Sequence, residues 1–401
     1  VIECGTQATG GNYTWFHEIP EPSRPLGFPI AEVAEDGSSV ITKHPGSGGV
    51  VNVGTVTAQL LYEIGEPLYA NPDVVTRFDT IEVSQQAPDR VHVSGTKGLP
   101  APTQLKVCIN LDGGHRNRMT FVLTGLRQAE KAAWLTEALL RRLGGRDRFD
   151  EVDVRFVPAP SDAPTQEAAS GRLHVSVKSH DERLVGRAFS SACIEMALAN
   201  YPGFFATGAP GEAQSFGVYW PALVDATEVH ERLVLWPPTT PAPATSPPPT
   251  SPATGPATGP ATPTIRVPPR QPSATPPTEY SLTPGVGVST PNSPEAGPGP
   301  GEPLGGHFAA RSGDKGGNAN VGIWARDHAG YRWLHANLTA DVVRDLLPEA
   351  AALEVRRYEL ANLHALNFVI VGLLGEGVAS STAFDAQAKG LGEYLLSRVW
   401  R

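Results

Sequence analysis

The sequence predicts two folded regions, a larger α/β domain with a mixed sheet and a small α+β sandwich, joined by a disordered linker. Over residues 1–236, segments with helical periodicity alternate with segments of strand-like alternation, which is typical of intermixed helices and sheets. From residue 237 to 305 the composition changes to Pro, Thr, Ala, Ser and Gly, which leaves little apolar surface to offset the entropy of ordering. Residues 306–401 again carry periodic apolar patterns, and this length suffices for a small independent domain.

Size and charge exclude several classes of protein. The chain has 401 residues, a formal net charge of −9 and an isoelectric point near 5.7. A nucleic-acid-binding protein would usually present a basic face, so we expect no nucleic-acid partner. No apolar run approaches the roughly 18 residues of a membrane span, and no signal peptide opens the sequence, so we expect no membrane partner. The three cysteines are widely spaced, which is typical of reduced thiols in a cytoplasmic protein.

The first residues predict a short strand that runs directly into a loop of small residues. Val1 opens the strand without a preceding segment, and we therefore expect an upstream part of the natural protein to be missing. The loop contains Gly10 and Gly11, with hydroxyl and amide groups at Thr6 and Asn12. Such side chains let a ligand approach the backbone while hydrogen bonds stay available. The alternative is a loop that satisfies its own hydrogen bonds.

A glycine-rich turn precedes the first predicted helix, at residues 53–64. Gly46, Gly48 and Gly49 lie in this turn, and Lys43 and His44 stand directly before it. A turn that opens a helix directs unpaired N–H groups at one point, where the helix dipole favours an anion. The sequence thus predicts a phosphate or carboxylate site, with a tight turn for close packing of a strand on a helix as the equal alternative. No Lys-Ser or Lys-Thr follows the glycines, so nucleotide hydrolysis is not indicated.

The remainder of the larger domain is predicted as strands and two amphipathic helices. Alternation of apolar residues predicts strands at 74–78, 80–84, 90–94, 105–111, 119–123, 152–157 and 173–177. Apolar residues at helical spacing predict helices at 127–143 and 185–200. Gly144 and Gly145 end the first of these helices.

Two clusters of charged residues follow predicted strands. Asp112, His115 and Arg116 lie in a predicted loop after the strand at 105–111, and these residue types suit acid–base chemistry and anion binding. His180 and Asp181 follow the strand at 173–177, as a base and the carboxylate that would orient it. In both places an ordinary charged surface turn is the alternative.

The small domain is predicted to contain four strands and two helices. The strands are predicted at 307–310, 320–326, 353–360 and 367–374, and the helices at 339–347 and 385–400. The loop between the first two strands carries Arg311, Asp314 and Lys315 among glycines. This combination suits an anionic or carbonyl ligand, and a charged hairpin is the equal alternative.

Two stretches together resemble a known family. The segments ECGTQATGGNYTWF, KHPGSGG and TVTAQLLYEIG resemble the acyclic terpene utilisation (AtuA) family. The segment GHFAARSGDKGGNANVGIWA resembles the ferredoxin-like domain at the end of many of its members. The resemblance covers residues 1–235 and about 306–401, without the linker. It implies that the family's N-terminal half precedes Val1 and is absent here.

The resemblance implies a role in the catabolism of citronellol- and geraniol-type acids as CoA thioesters. One reaction it suggests is a carbon–carbon lyase step that cleaves a 3-hydroxy-3-isohexenylglutaryl-CoA-like thioester and releases acetate. Such a step needs a base for the tertiary hydroxyl and an electrophile for the developing enolate. Either His–Asp pair could supply the base, and Lys43, Arg116 or Lys315 could polarise a carbonyl.

The sequence predicts no cofactor and no metal, because it contains no H-x-H, H-E-x-x-H or paired-cysteine motif. The expected small-molecule partner is an acyl-CoA substrate. A non-catalytic scaffold or partner-binding subunit is the alternative function, with the small domain tethered to dock another subunit and an apolar patch exposed on one domain. The oligomeric state stays open, a homo-oligomer included.

Overall fold

The structure is a computed structural model that describes residues 5–230 and 297–401, together with the backbone of 232–234 and 264–266. Helices and sheets intermix in a larger sheet-rich region, and a small α+β domain follows, which confirms the predicted fold class. The predicted strand at Val1 and most of the predicted linker lie outside the described residues. The last part of that predicted linker, 297–305, belongs to the small domain, where the Gly301 N–H bonds the carbonyl of Trp400 at 2.9 Å.

The larger region contains fourteen of the described strands, counting one that falls within the predicted linker. They are β1 (Pro29–Val33), β2 (Ser39–Lys43), β3 (Leu68–Ala70), β4 (Val75–Arg77), β5 (Glu82–Ala87), β6 (Arg90–Ser94), β7 (Lys97–Leu99), β8 (Gln104–Thr124), β9 (Glu151–Val157), β10 (Ser170–Ser179), β11 (Phe205–Ala206), β12 (Gln214–Asp225), β13 (Arg232–Val234) and β14 (Thr264–Arg266). The helices are α1 (Val53–Glu63), α2 (Gln128–Arg142) and α3 (Phe189–Glu195). None of the helices in the described part of the chain is long and apolar enough to cross a membrane.

These strands form antiparallel sheets. A four-stranded sheet has the order β1-β2-β6-β5, a three-stranded sheet has the order β3-β4-β7, and β13 pairs with β14. The largest sheet has the order β11-β8-β10-β9, and β12 also pairs with β8. Helices α2 and α3 cover this sheet over a core that includes Phe121, Leu139 and Phe189. The predicted helix at 127–143 is confirmed as α2. The one predicted at 185–200 begins with a π-helical segment at Leu184–Ala188, continues as α3 and ends earlier, at Glu195.

Strand β8 corrects the prediction of two strands separated by a loop. It runs for 21 residues without interruption, so Asp112 to Arg116 lie inside a strand. Gly114 takes a positive φ of 79° there, and the register against β12 shifts between Ser215 and Gly217. A bulge of this kind interrupts the alternation of side chains without ending the strand, which is why the sequence pattern resembles a loop.

The small domain has a four-stranded antiparallel sheet with helices on one face. Its strands are β15 (Phe308–Lys315), β16 (Asn318–Ala325), β17 (Val355–Leu360) and β18 (Ala365–Ile370), in the order β15-β16-β18-β17. Its helices are α4 (His328–Asn337), α5 (Ala340–Leu346) and α6 (Leu391–Leu396). Helix α4 was not predicted, and the predicted helix at 385–400 is confined to α6. The core includes Phe308, Val321, Leu334 and Phe368.

The opposite face of this sheet packs on α1 of the larger region. Trp324 and Ala365 are buried in one cluster with Val56 and Leu61. A Cβ on Gly322 would lie 2.6 Å from the Cβ of Leu61, so only glycine allows the helix to approach the sheet this closely. The two regions therefore share a hydrophobic core. The linker therefore joins two regions that pack directly on each other.

Side chains of the small domain also satisfy the free carbonyls at the end of α1. The Asn320 amide donates to the carbonyl of Leu61 at 2.8 Å, and Lys315 Nζ donates to that of Tyr62 at 2.7 Å. The Asn367 amide donates to the carbonyl of Gly65, just beyond the helix, at 2.7 Å. The last carbonyls of a helix lack partners within it and carry its negative dipole end. These hydrogen bonds thus fix the position of α1 on the sheet of the small domain, which the apolar contact alone would not specify.

His364, between β17 and β18, is expected to make the stability of the small domain depend on pH. Its backbone is left-handed, with φ 51°, and its ring stacks on Tyr331 with centroids 6.2 Å apart. Burial, followed by the nearby His328, holds the pKa of His364 below its ordinary value of 6.5, and Asp327 opposes the shift. The unfolded chain therefore binds this proton more readily. The stability is complete above about pH 6.5 and is lost as the pH falls towards the lower folded-state pKa.

We expect the urea midpoint to fall between about pH 7 and about pH 5, and His364→Asn to reduce that fall. Asparagine tolerates the left-handed backbone and carries no titratable ring. His17→Asn, at an exposed position, is the matched control and should leave the pH dependence unchanged. Equal pH dependence in wild-type and His364→Asn proteins would show that this ring does not cause it.

Candidate functional site

The glycine turn before α1 packs against neighbouring backbone. The Gly48 N–H donates to the carbonyl of Pro25 at 3.0 Å, and the Val50 N–H donates to that of Thr9 at 3.0 Å. A Cβ on Gly49 would lie 2.1 Å from the same Thr9 oxygen. The glycines therefore permit close backbone packing, as in the alternative that the sequence left open, but the partners are the loops around Thr9 and Pro25 and not a strand.

The N-terminus of α1 already has a negative partner within the protein. The Val51 N–H donates to Asp89 Oδ1 at 2.8 Å, and the Val53 N–H donates to Gln85 Oε1 at 3.2 Å. Lys43 Nζ lies 3.5 Å from Asp89 Oδ2. These groups occupy the amides and the cation that were predicted to hold an anion. We therefore propose no ligand site at Lys43, His44, Gly46, Gly48 and Gly49.

Asp89→Ala is expected to destabilise the protein by about 1–3 kcal/mol, because it leaves the Val51 N–H and Lys43 without their partner and places alanine in a left-handed conformation, φ 56°. Urea unfolding at neutral pH measures the change. Asp73→Ala, at an exposed aspartate, should change the free energy of unfolding by less than about 0.5 kcal/mol. Inorganic phosphate should leave the melting temperature of the wild-type protein unchanged. If phosphate raised the melting temperature of the wild-type protein, and Asp89→Ala changed that rise, the result would support an anion site at the glycine turn.

The loop at residues 5–12 largely satisfies its own backbone. The Gly11 N–H donates to the carbonyl of Thr6 at 2.7 Å, and the Gly10 N–H donates to that of Gln7 at 3.0 Å. Asn12 is exposed in a left-handed conformation with φ 53°. The predicted ligand groups of this loop thus form a turn.

The charged residues predicted as a ligand loop in the small domain join the two regions instead. Arg311 bonds the Gln7 side chain, and its guanidinium lies 4.7 Å from the ring centroid of Tyr62. Lys389 Nζ lies 4.3 Å from the same centroid and 3.9 Å from Asp314 Oδ1. Lys315 also contacts the end of α1, through the carbonyl of Tyr62. These contacts place Arg311, Asp314 and Lys315 at the interface between the two regions. The predicted loop proved to be the end of β15 and a tight hairpin turn.

A cleft of about 790 Å³ lies between the largest sheet and the segment that follows β18. Its charged lining comes from both regions and is contributed by Asp112, Asp150, Glu151, Asp153, Arg155, Lys178, His180 and Glu376. Its remaining lining is contributed by Gly113, Phe216, Val218, 372–375 and 380–383. No group of three or more His, Cys, Asp and Glu side chains in the described part of the chain could hold a metal ion. The cleft is the candidate functional site.

Lys178 is the buried cation of this cleft. Its side chain on β10 is 7% exposed, and Nζ lies 2.5 Å from Glu151 Oε2 on the neighbouring strand. Nζ also donates to Ser380 Oγ of the small domain at 3.2 Å and lies 5.2 Å from the ring centroid of Phe216. Partners on three sides fix the position of the amine against the cleft wall.

His180 lies two residues beyond Lys178, so both side chains reach the same side of the chain. Its Nδ1 lies 2.8 Å from Asp150 Oδ2, which also accepts the His180 N–H at 3.0 Å. Asp181, the predicted orienting carboxylate, instead accepts the N–H groups of Arg183 and Leu184 and begins the next helical turn. The imidazole–carboxylate pair is therefore His180 with Asp150, and not His180 with Asp181.

The other predicted pair is not brought together for catalysis. Asp112 lines the cleft, and its Oδ1 accepts the Gly114 N–H at 2.9 Å. His115 does not line the cleft, and its Nδ1 is buried with no hydrogen-bond partner among the described residues. Arg116 donates to the carbonyl of Ala379 at 2.7 Å and so ties the larger region to the small domain. Of this pair, only Asp112 belongs to the candidate site.

Sequence reasoning missed Lys178, Asp150, Glu151 and Ser380. Lys178 had a local signal, because it directly follows the predicted strand at 173–177 and precedes His180 by two residues. Glu151 lies directly opposite Lys178 in the β9–β10 ladder, which no local pattern reveals. Ser380 comes from a segment 202 residues away in the chain.

Comparison with known proteins gives the family of the chain. Residues 1–235 match the family model described as acyclic terpene utilisation family protein AtuA. Residues 304–400 match the model of the AtuA ferredoxin-like domain. No curated protein and no solved structure matches the chain. The first family model alone spans more than half of the sequence, and its description refers to the utilisation of acyclic terpenes. The chain therefore belongs to the acyclic terpene utilisation (AtuA) family.

Proposed function

We propose that the protein is a carbon–carbon lyase in the breakdown of branched terpenoid acyl-CoA thioesters, with the interdomain cleft as its site. The proposed substrate is a 3-hydroxy-3-isohexenylglutaryl-CoA-type thioester. One observation carries the proposal: a buried ammonium at Lys178 and an imidazole–carboxylate pair at His180 and Asp150 line one cleft. A base and a fixed positive charge are the two groups that such a cleavage needs.

The reaction moves one proton and breaks one bond. His180 Nε2 takes the proton of the tertiary hydroxyl, and the oxygen becomes a ketone as the bond to the neighbouring CH₂ breaks. The electron pair of that bond passes to the leaving two-carbon fragment as an enolate. The Lys178 ammonium stabilises the developing negative charge, and return of the proton from His180 to the fragment carbon gives acetate and a 3-oxoacyl thioester. Asp150 holds the imidazole and stabilises its protonated form.

The small domain supplies part of this site. Its segment 379–382 is held by three cations of the largest sheet, since Arg155 bonds the carbonyl of Thr382, Arg116 that of Ala379, and Lys178 the Ser380 hydroxyl. The side chain of Lys178 is 7% exposed, and shielding from water strengthens the interaction of its charge with a nearby anion. The form in which the two regions are packed is therefore the one that we expect to be active.

A partner-binding subunit is the second candidate, and one observation favours it. The outer parts of β8 and β12 form a two-stranded ribbon that exposes Ile109, Leu111 and Trp220, with 58% of the tryptophan exposed. Such a patch is typical of interaction surfaces. Paired Ile109→Ser and Trp220→Ser substitutions should remove a stable partner from pull-downs if the protein is a scaffold. They should leave acyl-CoA cleavage intact if it is a lyase.

The proposed function is tested by thermal shift and product analysis with 3-hydroxy-3-methylglutaryl-CoA and longer 3-branched analogues. A ligand that binds only the folded state stabilises it in proportion to the logarithm of its concentration. We expect the melting temperature to rise with the thioester and acetate to accumulate. Free CoA and acetyl-CoA are the matched ligand controls. No stabilisation by any branched thioester and no acetate would contradict the lyase.

A further inference from the structure

Phe216 occupies a special position in the wall of the cleft. It is the residue at which the register of β12 shifts against β8, between Ser215 and Gly217. Its ring fills the space beside Gly113, where a Cβ would lie 2.3 Å from Phe216 Cε2. A bulge redirects a side chain, and the missing side chain opposite makes room for the ring. The bulge and Gly113 together place the ring of Phe216 in the wall of the cleft.

The ring also borders the buried cation of the site. Its centroid lies 5.2 Å from Lys178 Nζ and 5.9 Å from Arg116 Cζ, distances at which a ring face attracts a cation. Val218, Leu373 and Leu374 line the same cleft and extend its apolar surface. The cleft thus combines an apolar wall with a charged wall that meet at Phe216.

The chemistry of the proposed substrate requires this juxtaposition. Its tertiary carbon carries both the reacting hydroxyl and the hydrocarbon branch, so the branch begins one bond from the reacting centre. An apolar subsite for the branch has to lie within a few ångströms of the base and the ammonium. Phe216 is the aromatic side chain that lines the cleft and contacts Lys178.

We propose that Phe216 is the residue that determines specificity for the hydrocarbon branch of the substrate. The inference rests on the proposed lyase function and adds to it the part of the cleft that selects the branch. Burial of each methylene against the ring favours a longer branch.

The test compares two probes, 3-hydroxy-3-methylglutaryl-CoA with a one-carbon branch and 3-hydroxy-3-hexylglutaryl-CoA with a six-carbon branch. We expect the wild-type protein to prefer the longer branch in kcat/KM by about 10-fold or more, which hydrophobic pockets commonly achieve. Phe216→Ala should reduce this preference to near unity, mainly through KM of the longer probe. Phe216→Trp should exclude the longer probe and leave the shorter one little changed. Phe16→Ala, at an exposed phenylalanine, is the matched control.

Each outcome decides one of the two proposals. Cleavage of neither probe by the wild-type protein would overturn the lyase function itself. Cleavage of both probes, with equal loss of kcat/KM for each in Phe216→Ala and no selective exclusion in Phe216→Trp, would overturn the role of Phe216 and leave the function standing. Circular dichroism identifies a variant that has unfolded, and the tryptophan variant then carries the test alone.

Discussion

Turnover of a branched acyl-CoA thioester is expected to fall about 10²- to 10³-fold when Lys178 is replaced by methionine. The substitution keeps most of the apolar stem of the side chain and removes the ammonium together with its bonds to Glu151 and Ser380. A buried positive group aimed at a developing enolate contributes to the rate on this scale. KM should change much less than kcat, because the charge that Lys178 stabilises is largest in the transition state. Steady-state kinetics with acetate release as the signal measure both constants.

The matched control for this substitution is Lys106→Met on the exposed part of β8. It removes one positive charge from the same strand system without contact with the cleft, and kinetics should stay at the wild-type level. Full activity in Lys178→Met would remove Lys178 from the mechanism. Equal losses in both variants would assign the effect to overall charge.

The second large effect is expected at the shared core. Leu61→Ala should lower the free energy of unfolding by about 2–5 kcal/mol, the range for a fully buried leucine whose neighbours cannot collapse into the gap. Leu61 is 0% exposed in the cluster that contains Trp324 and Ala365 of the small domain. The sheet residue opposite it is Gly322, which has no side chain to fill the space. Urea unfolding followed by tryptophan fluorescence measures the loss.

Leu198→Ala is the control, because Leu198 is fully exposed and its loss should cost less than about 0.5 kcal/mol. A biphasic transition in Leu61→Ala, in place of one cooperative transition, would show that the two regions unfold separately once the contact weakens. A loss below about 1 kcal/mol in Leu61→Ala would contradict a shared core.

Local periodicity predicted those elements whose packing depends on neighbours in sequence. Helix α2 and strands β9 and β10 lie close to their predicted positions, because one apolar face each meets the core. The turn before α1 was ambiguous, since its glycines suit both a ligand and a close backbone contact. The decisive partners, Thr9, Pro25 and Asp89, lie on other segments. Their positions follow only from the assembled fold.

In the candidate site, too, the local sequence predicted one residue correctly, whereas its partners depend on the assembled fold. His180 was predicted from its residue type and its position at a strand end, and it does line the cleft. Its carboxylate partner was assigned to the next residue, whereas Asp150 comes from 30 residues earlier in the chain. Asp181 is drawn instead to the free N–H groups of the following turn. The contribution of Ser380 required knowledge that the small domain packs on the larger region.

Hydrogen–deuterium exchange of the full chain, with and without 3-hydroxy-3-hexylglutaryl-CoA, tests most directly that the functional site is the cleft between the two regions. We expect the thioester to slow exchange at 150–155, 178–180 and 372–383 together, since these segments line the cleft from both sides. Slower exchange at the glycine turn, 44–50, with no change in those three segments would contradict this location.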